Sequence, residues 1–371
     1  MVHAVPYVNM SRAVLRGTVV TDLAENIGQL LPPRDHQVWF AGEYPCHHTG
    51  APIAAIRHTS DRRALWSGFE VHHRFSNKLY GTSGFADYYS KMKSYIDIIS
   101  NEAKAIDPNA TPCTFKVIPP IEEDSVFKYR DSASSRADIL AISEKLAVNR
   151  IAIVGLGGTG SYVLDLVAKT PVREIHLFDG DTFLQHNAFR APGAATMDVL
   201  AQKMPKVNYY AQVYSAMRCG VVPHVGYLDD QRVGQLAGFD FVFLCVDKGA
   251  VRRLVSEYLQ ARQMPFVDVG MDLIMGPDAQ DLAGTCRVTM STSAKSNHFA
   301  RHVPLHDDVE DDLYRRNIQV ADMNALNAAL AVIKWKRYCA FYRDIFKVHQ
   351  TTYSIDSQSL TRDEMIGVTE E

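Results

Sequence analysis

The strongest constraint on the fold is a short apolar run that breaks into clustered glycines and continues as a helical pattern, IVGLGGTGSYVLDLVAK at residues 153–169. Strand-like and helix-like segments alternate around it. Strands are predicted at 150–155, 174–181, 239–247 and 265–270, and helices at 160–169, 206–218, 248–262 and 322–344. Such alternation is typical of a parallel sheet with helices on both faces. The sequence therefore predicts an α/β fold with a Rossmann-like, doubly wound, mostly parallel sheet.

The residues before this region follow a different pattern. Paired prolines followed by acidic residues, KVIPPIEEDS at 116–125, suit an extended connection and mark the predicted domain boundary. Ahead of it lie short strand-like runs at 36–42, 51–56 and 65–71 and one helical pattern at 87–106. We therefore expect a smaller α+β domain at 1–125 and a nucleotide-binding domain at 126–371.

Composition excludes several classes of protein. The 371 residues are 47% hydrophobic and 22% charged with a formal net charge of −3, so nothing draws the whole chain to nucleic acid or to an anionic membrane. No apolar run approaches the roughly 20 residues that span a bilayer. The N-terminus, MVHAVPYVNMSRAV, has no basic-then-apolar signal pattern, which predicts a cytoplasmic protein. Six cysteines stand singly, so no zinc ribbon or disulfide framework is expected.

The glycine loop has the spacing of a nucleotide-binding turn. Gly155, Gly157 and Gly160 form G-x-G-x-x-G between a strand and a helix, and Gly158 adds a fourth glycine. Glycines let the backbone approach a phosphate, and the helix N-terminus offers free N–H groups and a positive dipole. Asp179 ends the next strand, where a carboxylate can bind ribose hydroxyls. These residues alone leave NAD and ATP as alternatives.

The segment DGDTFLQHNAFR, which follows that strand, favours ATP. Asp179, Asp181, Asn187 and Arg190 fall in one loop beyond the carboxyl end of the strand, where ligands bind in open α/β sheets. A dehydrogenase needs little here beyond the ribose carboxylate. Amide and guanidinium donors three residues apart instead suit the β- and γ-phosphates of a triphosphate.

Two lysines and a further aspartate extend this set. Lys203 and Lys206 stand at the start of a helix, where a lysine can act as a point charge on phosphate or can simply be a solvated surface charge. Asp247 follows an apolar strand at the same predicted edge of the sheet. It is either a Mg²⁺ ligand that helps neutralise the phosphates or a helix N-cap, and the two roles are compatible.

This ordered set resembles the ThiF/MoeB superfamily, the adenylating core of ubiquitin-activating enzymes, over residues 126–345. The resemblance implies that Gly158 faces the phosphates, Asp179 binds ribose, and Asp247 is the essential acid that works with Mg²⁺. It implies that Asn187, Arg190 and a lysine hold the phosphates of ATP. Lys203 fits the family spacing and Lys206 fits the local K-V context; we favour Lys206.

The same resemblance implies a reaction and an assembly. A carboxylate, the C-terminus of a ubiquitin-like or small carrier protein, attacks the α-phosphate of ATP and yields an acyl-adenylate and pyrophosphate. The family also places an arginine from upstream of the glycine loop in the site of a partner subunit, so a homodimer is expected. Arg136 is the candidate, with Arg130 as the alternative, and an ordinary surface residue is the competing interpretation. A relative that acts on tRNA is conceivable in this superfamily, but no basic cluster in the sequence favours a nucleic-acid partner, and no membrane partner is expected.

The chain departs from relatives that form a cysteine thioester. The polar stretch 292–320 contains no cysteine, and Cys286 falls in a predicted strand, where packing is the favoured interpretation. His298, His302 and His306 have the i, i+4 spacing of a metal site, but Pro304 interrupts the helix between the last two. We interpret this stretch as a mobile loop that closes over the tail of the substrate.

The first 125 residues resemble an uncharacterised module found ahead of bacterial ThiF-like proteins, which implies no chemistry. Cys46, His47 and His48 form one cluster and His72 and His73 another. A thiol nucleophile that accepts the acyl group, or a metal site, is one interpretation. Adjacent histidines of a strand point to opposite faces, so at most one of each pair is expected at a given site. Structural histidines are the favoured interpretation.

Three functions therefore compete. The first is adenylation of a carboxylate, in a bacterial conjugation or defence pathway. The second is an NAD-dependent oxidoreductase that uses the same glycine loop. The third is a scaffold that binds a nucleotide without turnover. The residues at 187–247 favour the first.

Overall fold

The computed structural model describes residues 1–26, 29–66, 68–78, 84–115, 125–129, 131, 134, 139–276, 278, 280–306 and 318–366. The chain divides into two compact units. The N-terminal unit comprises residues 1–124 and 129–144, and the C-terminal unit comprises residues 125–128 and 145–371. No helix within the described part is long and apolar enough to cross a membrane.

The N-terminal unit is built on antiparallel strands. Its strands are β1 Val2–Val8, β2 Val14–Val20, β3 Glu25–Asn26, β4 Gln29–Leu30, β5 Gln37–Ala41, β6 Arg57–Thr59, β7 Arg63–Trp66, β8 Phe69–Val71 and β9 His73–Ser76. Its helices are α1 Tyr88–Ile106, α2 Leu140–Ser143 and the 3₁₀ turn Ala54–Ile56. The main sheet has the order β1-β2-β5-β9-β6, and β3-β4 and β7-β8 form separate ribbons.

The helix α1 covers this sheet with a regular apolar face. Met92, Tyr95 and Ile99 belong to the apolar spacing that predicted a helix at 87–106 and are buried, as is Ala103 one turn later. Asp87 begins the helix, because its side chain accepts the backbone N–H of Ser90 at 2.7 Å.

The C-terminal unit contains the glycine loop. Its strands are β10 Arg150–Val154, β11 Glu174–Asp179, β12 Val221–Val225, β13 Phe241–Leu244, β14 Phe266–Met275, β15 Leu282–Ser291, β16 Val348–Ser354 and β17 Ser359–Met365. Its helices are α3 Gly158–Ala168, α4 Gln185–Ala188, α5 Met197–Ala201, α6 Lys206–Ser215, α7 Gly249–Ala261, α8 Phe299–His302 and α9 Ala321–Tyr338. The 3₁₀ turns are Glu144–Leu146, at the junction of the two units, and Val233–Leu236.

These strands form one eight-stranded sheet with the order β12-β11-β10-β13-β14-β15-β16-β17. The pairs from β12 to β14 are parallel, and the last three strands are added antiparallel. The predicted mostly parallel α/β sheet is therefore confirmed, together with a smaller, mainly antiparallel region ahead of it.

Both faces of the sheet are covered, as a doubly wound fold requires. Ile151 and Ile153 of β10 belong to the core formed with α3 and α9, whereas the alternate residues Ala152 and Val154 belong to the core formed with α7. Because successive strand residues point to opposite faces, a strand buried on both sides is apolar throughout. The apolar run at the start of the glycine motif follows directly from this burial.

The helix α9 is shorter than the predicted 322–344. It ends at Tyr338 with Cys339 as its C-cap residue, and the next residue, Ala340, has a φ of +57°. The N–H of Ala340 donates to the carbonyl of Arg337, and that of Phe341 donates to the carbonyl of Lys336, which is the hydrogen-bond pattern of a Schellman termination. The usual glycine is absent at the left-handed position, so the sequence carried no stop signal.

Candidate active site

A cleft of about 1140 Å³ lies at the carboxyl ends of β10, β11 and β13 and along β14. The chain runs from β10 to β11 and β12 on one side and then crosses to β13 on the other, which makes this edge the topological switch point of the sheet. Open α/β sheets bind ligands at that point. Eight of the predicted site residues line the cleft: Gly155, Gly157, Gly158, Asp179, Asp181, Arg190, Lys206 and Asp247.

The glycine loop is shaped by close backbone packing. Gly155 has a φ of +89°, and a Cβ atom there would lie 2.5 Å from the carbonyl oxygen of Cys245. A Cβ atom on Gly160 would lie 1.9 Å from the carbonyl oxygen of Gly155. Gly157 is the N-cap of α3, and a Cβ atom there would meet nothing within 4 Å. Two of the glycines therefore fold the loop, and Gly157 leaves the helix N-terminus open to the cleft.

Gly158 serves a contact between two helices. A Cβ atom on it would lie 2.2 Å from the Nδ2 atom of Asn324 on α9. The hydroxyl of Thr159 donates to the Oδ1 atom of the same asparagine at 2.8 Å. Asn324 also lines the cleft. Sequence reasoning missed it, because an asparagine in the first turn of a helix is ordinary.

Asp179 connects the end of β11 to the glycine loop. Its Oδ2 atom accepts the N–H of Leu156 at 2.6 Å, and its Oδ1 atom accepts the N–H of Asp181 at 2.8 Å. Burial raises the pKa of this carboxyl, against the lowering effect of Lys206 and of the two backbone bonds. Each carboxylate oxygen can accept more than one hydrogen bond, so Asp179 can shape the loop and still accept from a ribose.

Lys206 points into the cleft and pairs with the acidic residues of the neighbouring loop. Its Nζ atom lies 2.7 Å from Asp181 Oδ2 and 3.9 Å from Asp179 Oδ2, and the lysine side chain is only 7% exposed. Burial alone would raise the pKa of Asp181, but the hydrogen bonds from Lys206 and from the hydroxyl of Tyr227 lower it. The three charged groups form one polar wall.

Lys203 lies elsewhere. It is exposed, has a φ of +48° and is not among the described residues that line the cleft. A short antiparallel bridge joins Thr182 to Pro205, and the N–H of Lys206 donates to the carbonyl of Asp181 at 2.9 Å. This bridge places Lys206, rather than the lysine three residues earlier, beside the two carboxylates.

Arg190 and Asn187 occupy the loop around α4. Arg190 lines the cleft, and its Nε atom is buried without a hydrogen-bond partner among the described residues. Asn187 is buried, and its Oδ1 atom accepts the N–H of Leu184 at 2.9 Å. Its Nδ2 atom is also buried without a partner in the described chain. Buried donors of this kind are normally paired. Of the two residues only Arg190 is among the described residues that line the cleft, so its guanidinium is the group placed to meet an acceptor-rich ligand.

Asp247 lies three residues beyond the end of β13, exposed in the cleft wall. The N-cap position of α7 is Lys248, and Asp247 immediately precedes it. Phosphate-bearing ligands and Mg²⁺ both suit the resulting donor set, which combines a helix N-terminus, Arg190 and Lys206 with exposed carboxylates. Within the described residues, no three His, Cys, Asp or Glu side chains are arranged to hold a metal ion by themselves.

A buried ion cluster beneath the cleft was missed by sequence reasoning. Asp268 of β14 has no exposed surface, and its two oxygens accept from Arg252 at 2.9 Å and from Arg287 at 2.6 Å. Both arginines line the cleft. The signal was present, because Asp268 interrupts the apolar strand PFVDVG and a buried carboxylate requires a partner.

Several predicted residues lie outside the site or outside the described chain. Arg130 and Arg136 are outside the described residues, as is much of the predicted closing loop, 307–317. His298 is buried and its Nε2 atom bonds the carbonyl of Met290 at 2.9 Å, while His302 bonds Glu364 at 3.0 Å. Burial lowers the pKa of His298 to about 4.

The cysteines that were weighed as acyl acceptors are packed inside the protein. Cys286 lies in β15 with no exposed surface, and burial raises the pKa of its thiol to about 12. Cys46 is also fully buried, and burial raises its pKa. Since the thiolate is the nucleophile, both positions are unsuited to thioester formation in this conformation.

The histidines beside Cys46 do not follow the strand rule. His47 and His48 lie at a turn, and both face Glu102 of α1. The Nδ1 atom of His47 lies 2.7 Å from one carboxylate oxygen, and that of His48 lies 2.8 Å from the other. The expectation that adjacent histidines diverge is wrong here, because the turn rotates both rings to one side. His72 and His73 instead bond Gly42 and Ser60.

Comparison with known proteins found a family match for each of two parts of the chain. Residues 1–132 match a domain of unknown function, DUF6791, and residues 130–337 match the ThiF family. No curated protein matched the chain. E. coli MccB with succinimide is 15% identical with a TM-score of 0.52, over 64% of this chain and 72% of MccB.

Two further structures of MccB show the same fold. The Microcin C7 biosynthetic enzyme MccB in complex with N-formylated MccA is 15% identical with a TM-score of 0.51, over 62% of this chain and 68% of that chain. E. coli MccB with ATP is 15% identical with a TM-score of 0.50, over 64% and 72%. With its glycine loop, its cleft and a family match over more than half of its length, the chain belongs to the ThiF family.

Proposed function

We propose that this protein is an ATP-dependent adenylyltransferase that activates a carboxylate at the C-terminus of a ubiquitin-like protein, small carrier protein or peptide. The observation that carries the proposal is the meeting of Arg190, Lys206 and Asp247 with the glycine loop on one cleft. A dinucleotide needs the loop and a ribose carboxylate, whereas the further phosphate of a triphosphate matches the two cations and the acid that lie beside them. A triphosphate uses all of them.

The reaction needs position and charge rather than a side-chain nucleophile. A carboxylate oxygen of the substrate attacks the α-phosphorus, the bond from that phosphorus to the oxygen bridging to the β-phosphate breaks, and pyrophosphate leaves with the electron pair. Arg190 and Lys206 stabilise the negative charge that grows on the leaving group. The N-terminus of α3 binds phosphate oxygens through backbone N–H groups. Asp179 holds the ribose.

Asp247 supplies a carboxylate for Mg²⁺. Magnesium in nucleotide sites is usually held by one or two carboxylates together with phosphate oxygens and water, so a cluster of protein ligands is not required beforehand. When bound, the ion neutralises phosphate charge.

The relatives support the two-substrate character of the proposal. MccB has been crystallised with ATP and, separately, with N-formylated MccA. By analogy, we propose that the present protein also binds both a nucleotide and a second chain. The choice of a ubiquitin-like or carrier protein rests on the sequence resemblance described above.

Isotope exchange between ATP and pyrophosphate tests the proposal. We expect exchange only when a candidate carrier protein with a free C-terminus is present, and none with the same carrier lacking its last residues. Asp247→Ala should abolish exchange. Absence of exchange with every carrier, or stronger protection from thermal unfolding by NAD than by ATP and Mg²⁺, would count against adenylation. ATP binding without exchange would favour the scaffold.

We also propose a homodimer in which Arg136 acts on the partner's site. Mixing an Arg136→Ala variant with an Asp247→Ala variant tests this, because one site of each mixed dimer then has both intact residues. Exchange should return to about a quarter of the wild-type rate when subunits mix freely. No recovery in mixtures shown to have exchanged subunits contradicts action in trans.

A further inference from the structure

We propose that Arg252 is a positioning residue that fixes the loop carrying Asp247. The inference rests on the proposed function, because it explains how Asp247, the acid that the proposed reaction requires, is held in place. Arg252 is only 6% exposed, and its guanidinium donates to three chain segments that are separate in the sequence. One of these segments is the loop immediately before Asp247.

The three contacts use all three nitrogens of the guanidinium. Nε donates to Asp268 Oδ2 at 2.9 Å, Nη2 donates to the carbonyl of Val246 at 2.5 Å, and Nη1 donates to the carbonyl of Pro304 at 3.2 Å. A planar guanidinium presents its donors in a fixed fork, so fixing one contact orients the other two. A lysine could satisfy one acceptor but could not span all three.

Asp268 anchors the guanidinium of Arg252 to the central sheet. It lies on β14, which pairs with β13 through Val242–Phe266, Phe243–Val267 and Leu244–Asp268. The carboxylate therefore has the rigidity of the central sheet, and its second oxygen is held by Arg287. Because Arg252 bonds both Asp268 and the carbonyl of Val246, it restrains the residues that follow β13 relative to the sheet.

The consequence for Asp247 follows from covalent geometry. The chain leaves the sheet after Leu244, and Asp247 stands in the cleft wall three residues later. The contact from Arg252 falls on the carbonyl of Val246, which shares a peptide bond with Asp247. Loss of the contact therefore removes a restraint on the orientation of that peptide. A misplacement of about 1 Å at a reacting centre can cost about 100-fold in rate.

The same side chain also fixes the far border of the cleft. Pro304 lines the cleft and follows α8, and its carbonyl has Arg252 as its donor. The loop bearing the acid and the segment after α8 are therefore held by one group. A substitution at Arg252 should loosen both, whereas its neighbour Arg253 is exposed and contributes to neither.

Arg252→Lys and Arg252→Gln test the proposal, with Arg253→Gln as the matched control. We expect kcat for ATP–pyrophosphate exchange to fall about 10- to 100-fold, KM for ATP to change less than about threefold, and the Mg²⁺ concentration at half-maximal rate to rise. Arg253→Gln should behave as wild type.

Amide hydrogen exchange supplies a readout that is independent of catalysis. Arg252→Lys keeps a positive charge beside Asp268, so it should fold even if Arg252→Gln does not. We expect faster exchange at residues 245–250 and near 304 in the lysine variant, with the rest of the sheet unchanged. Unchanged protection there, or equal kinetic effects in Arg253→Gln, overturns the proposal. If the wild type shows no pyrophosphate exchange, the adenylation proposal fails, and hydrogen exchange still decides the role of Arg252.

Discussion

The two units of this chain each bury a lysine, and they use it differently. Lys91 of α1 has no exposed surface and pairs with Asp35 at 3.0 Å and Asp22 at 3.8 Å, so two carboxylates enclose it. Lys206 is also buried and paired, but it faces the cleft together with its acidic partners. Lys91 therefore serves the structure of the antiparallel unit, whereas Lys206 is part of the cleft wall in the mostly parallel unit.

The difference follows from sheet geometry. Parallel strands end at the same edge, so the loops after β10, β11 and β13 bring residues from distant parts of the chain together. Successive antiparallel strands end at opposite edges of a sheet, so their loops do not gather at one edge in this way. Convergence of unrelated segments is therefore the property that marks the cleft as the site.

The largest effect is expected from Asp268→Asn. The substitution leaves Arg252 and Arg287 without their shared carboxylate in a buried position, and breaking a buried ion cluster costs about 3–5 kcal/mol in the free energy of unfolding. Urea denaturation followed by tryptophan fluorescence measures the loss. A change below about 1 kcal/mol would show that the cluster is not a structural element of the cleft.

The next largest effect is a difference in stability between substitutions at Gly155 and at Gly157 of the glycine loop. Gly155→Ala forces a side chain onto a φ of +89° and against the carbonyl of Cys245, and we expect a loss of about 2–3 kcal/mol in the free energy of unfolding. Gly157→Ala adds a methyl group where nothing lies within 4 Å, so stability should be kept while ATP binding weakens. Equal melting temperatures for both variants would refute this division.

The two lysines near α6 give a matched test of the cleft wall. Lys206→Met removes the cation beside Asp179 and Asp181 and should weaken ATP binding about tenfold, or about 1.4 kcal/mol. Lys203→Met, three residues away and exposed, should leave affinity unchanged. Isothermal calorimetry with ATP and Mg²⁺ compares them, and a similar loss in both would reassign the lysine.

In the N-terminal unit we expect a smaller, pH-dependent effect from Glu102→Gln. Burial alone would raise the pKa of Glu102, but hydrogen bonds from His47 and His48 lower it from 4.5 to about 2. A carboxyl whose pKa is lower in the folded protein stabilises the fold at pH values above its ordinary pKa of 4.5. This stabilisation is lost as the pH falls from about 4.5 through 2.

The melting temperature of wild type should therefore exceed that of Glu102→Gln at pH 7, by an amount equivalent to less than about 1 kcal/mol. The gap should narrow below pH 4.5. Asp97→Asn, on the same helix and in an exposed pair with Lys93, is the control. A gap that widens as the pH falls would contradict the assignment.

The smallest effect concerns Cys46. Because its thiol is fully buried and its pKa is raised, iodoacetamide should leave it unmodified in the native protein while the exposed Cys113 and Cys219 react. Mass spectrometry of tryptic peptides reads the result, and urea should expose all three. Labelling of Cys46 at the rate of Cys113, or an acyl adduct on it after incubation with ATP and a carrier, would revive the thioester interpretation.

Much of the fold and part of the candidate site could be predicted from local patterns. The alternation of strands and helices, the glycine loop, and the order of Asp179, Arg190 and Asp247 are properties of neighbouring residues, and they predicted the parallel sheet and the edge where the cleft lies. The end of α9 could not be predicted, because its left-handed terminal residue is an alanine.

Only the tertiary structure decided which side chains reach the cleft. The bridge between Thr182 and Pro205 places Lys206, already favoured by its local context, beside the two carboxylates. The guanidinium of Arg252 bonds both Asp268 and the carbonyl of Val246, immediately before Asp247. These choices depend on hydrogen bonds between segments that are far apart in the chain. Sequence patterns record which residues are neighbours along the backbone, whereas the direction of a side chain after a loop is set by contacts that exist only once the sheet has formed.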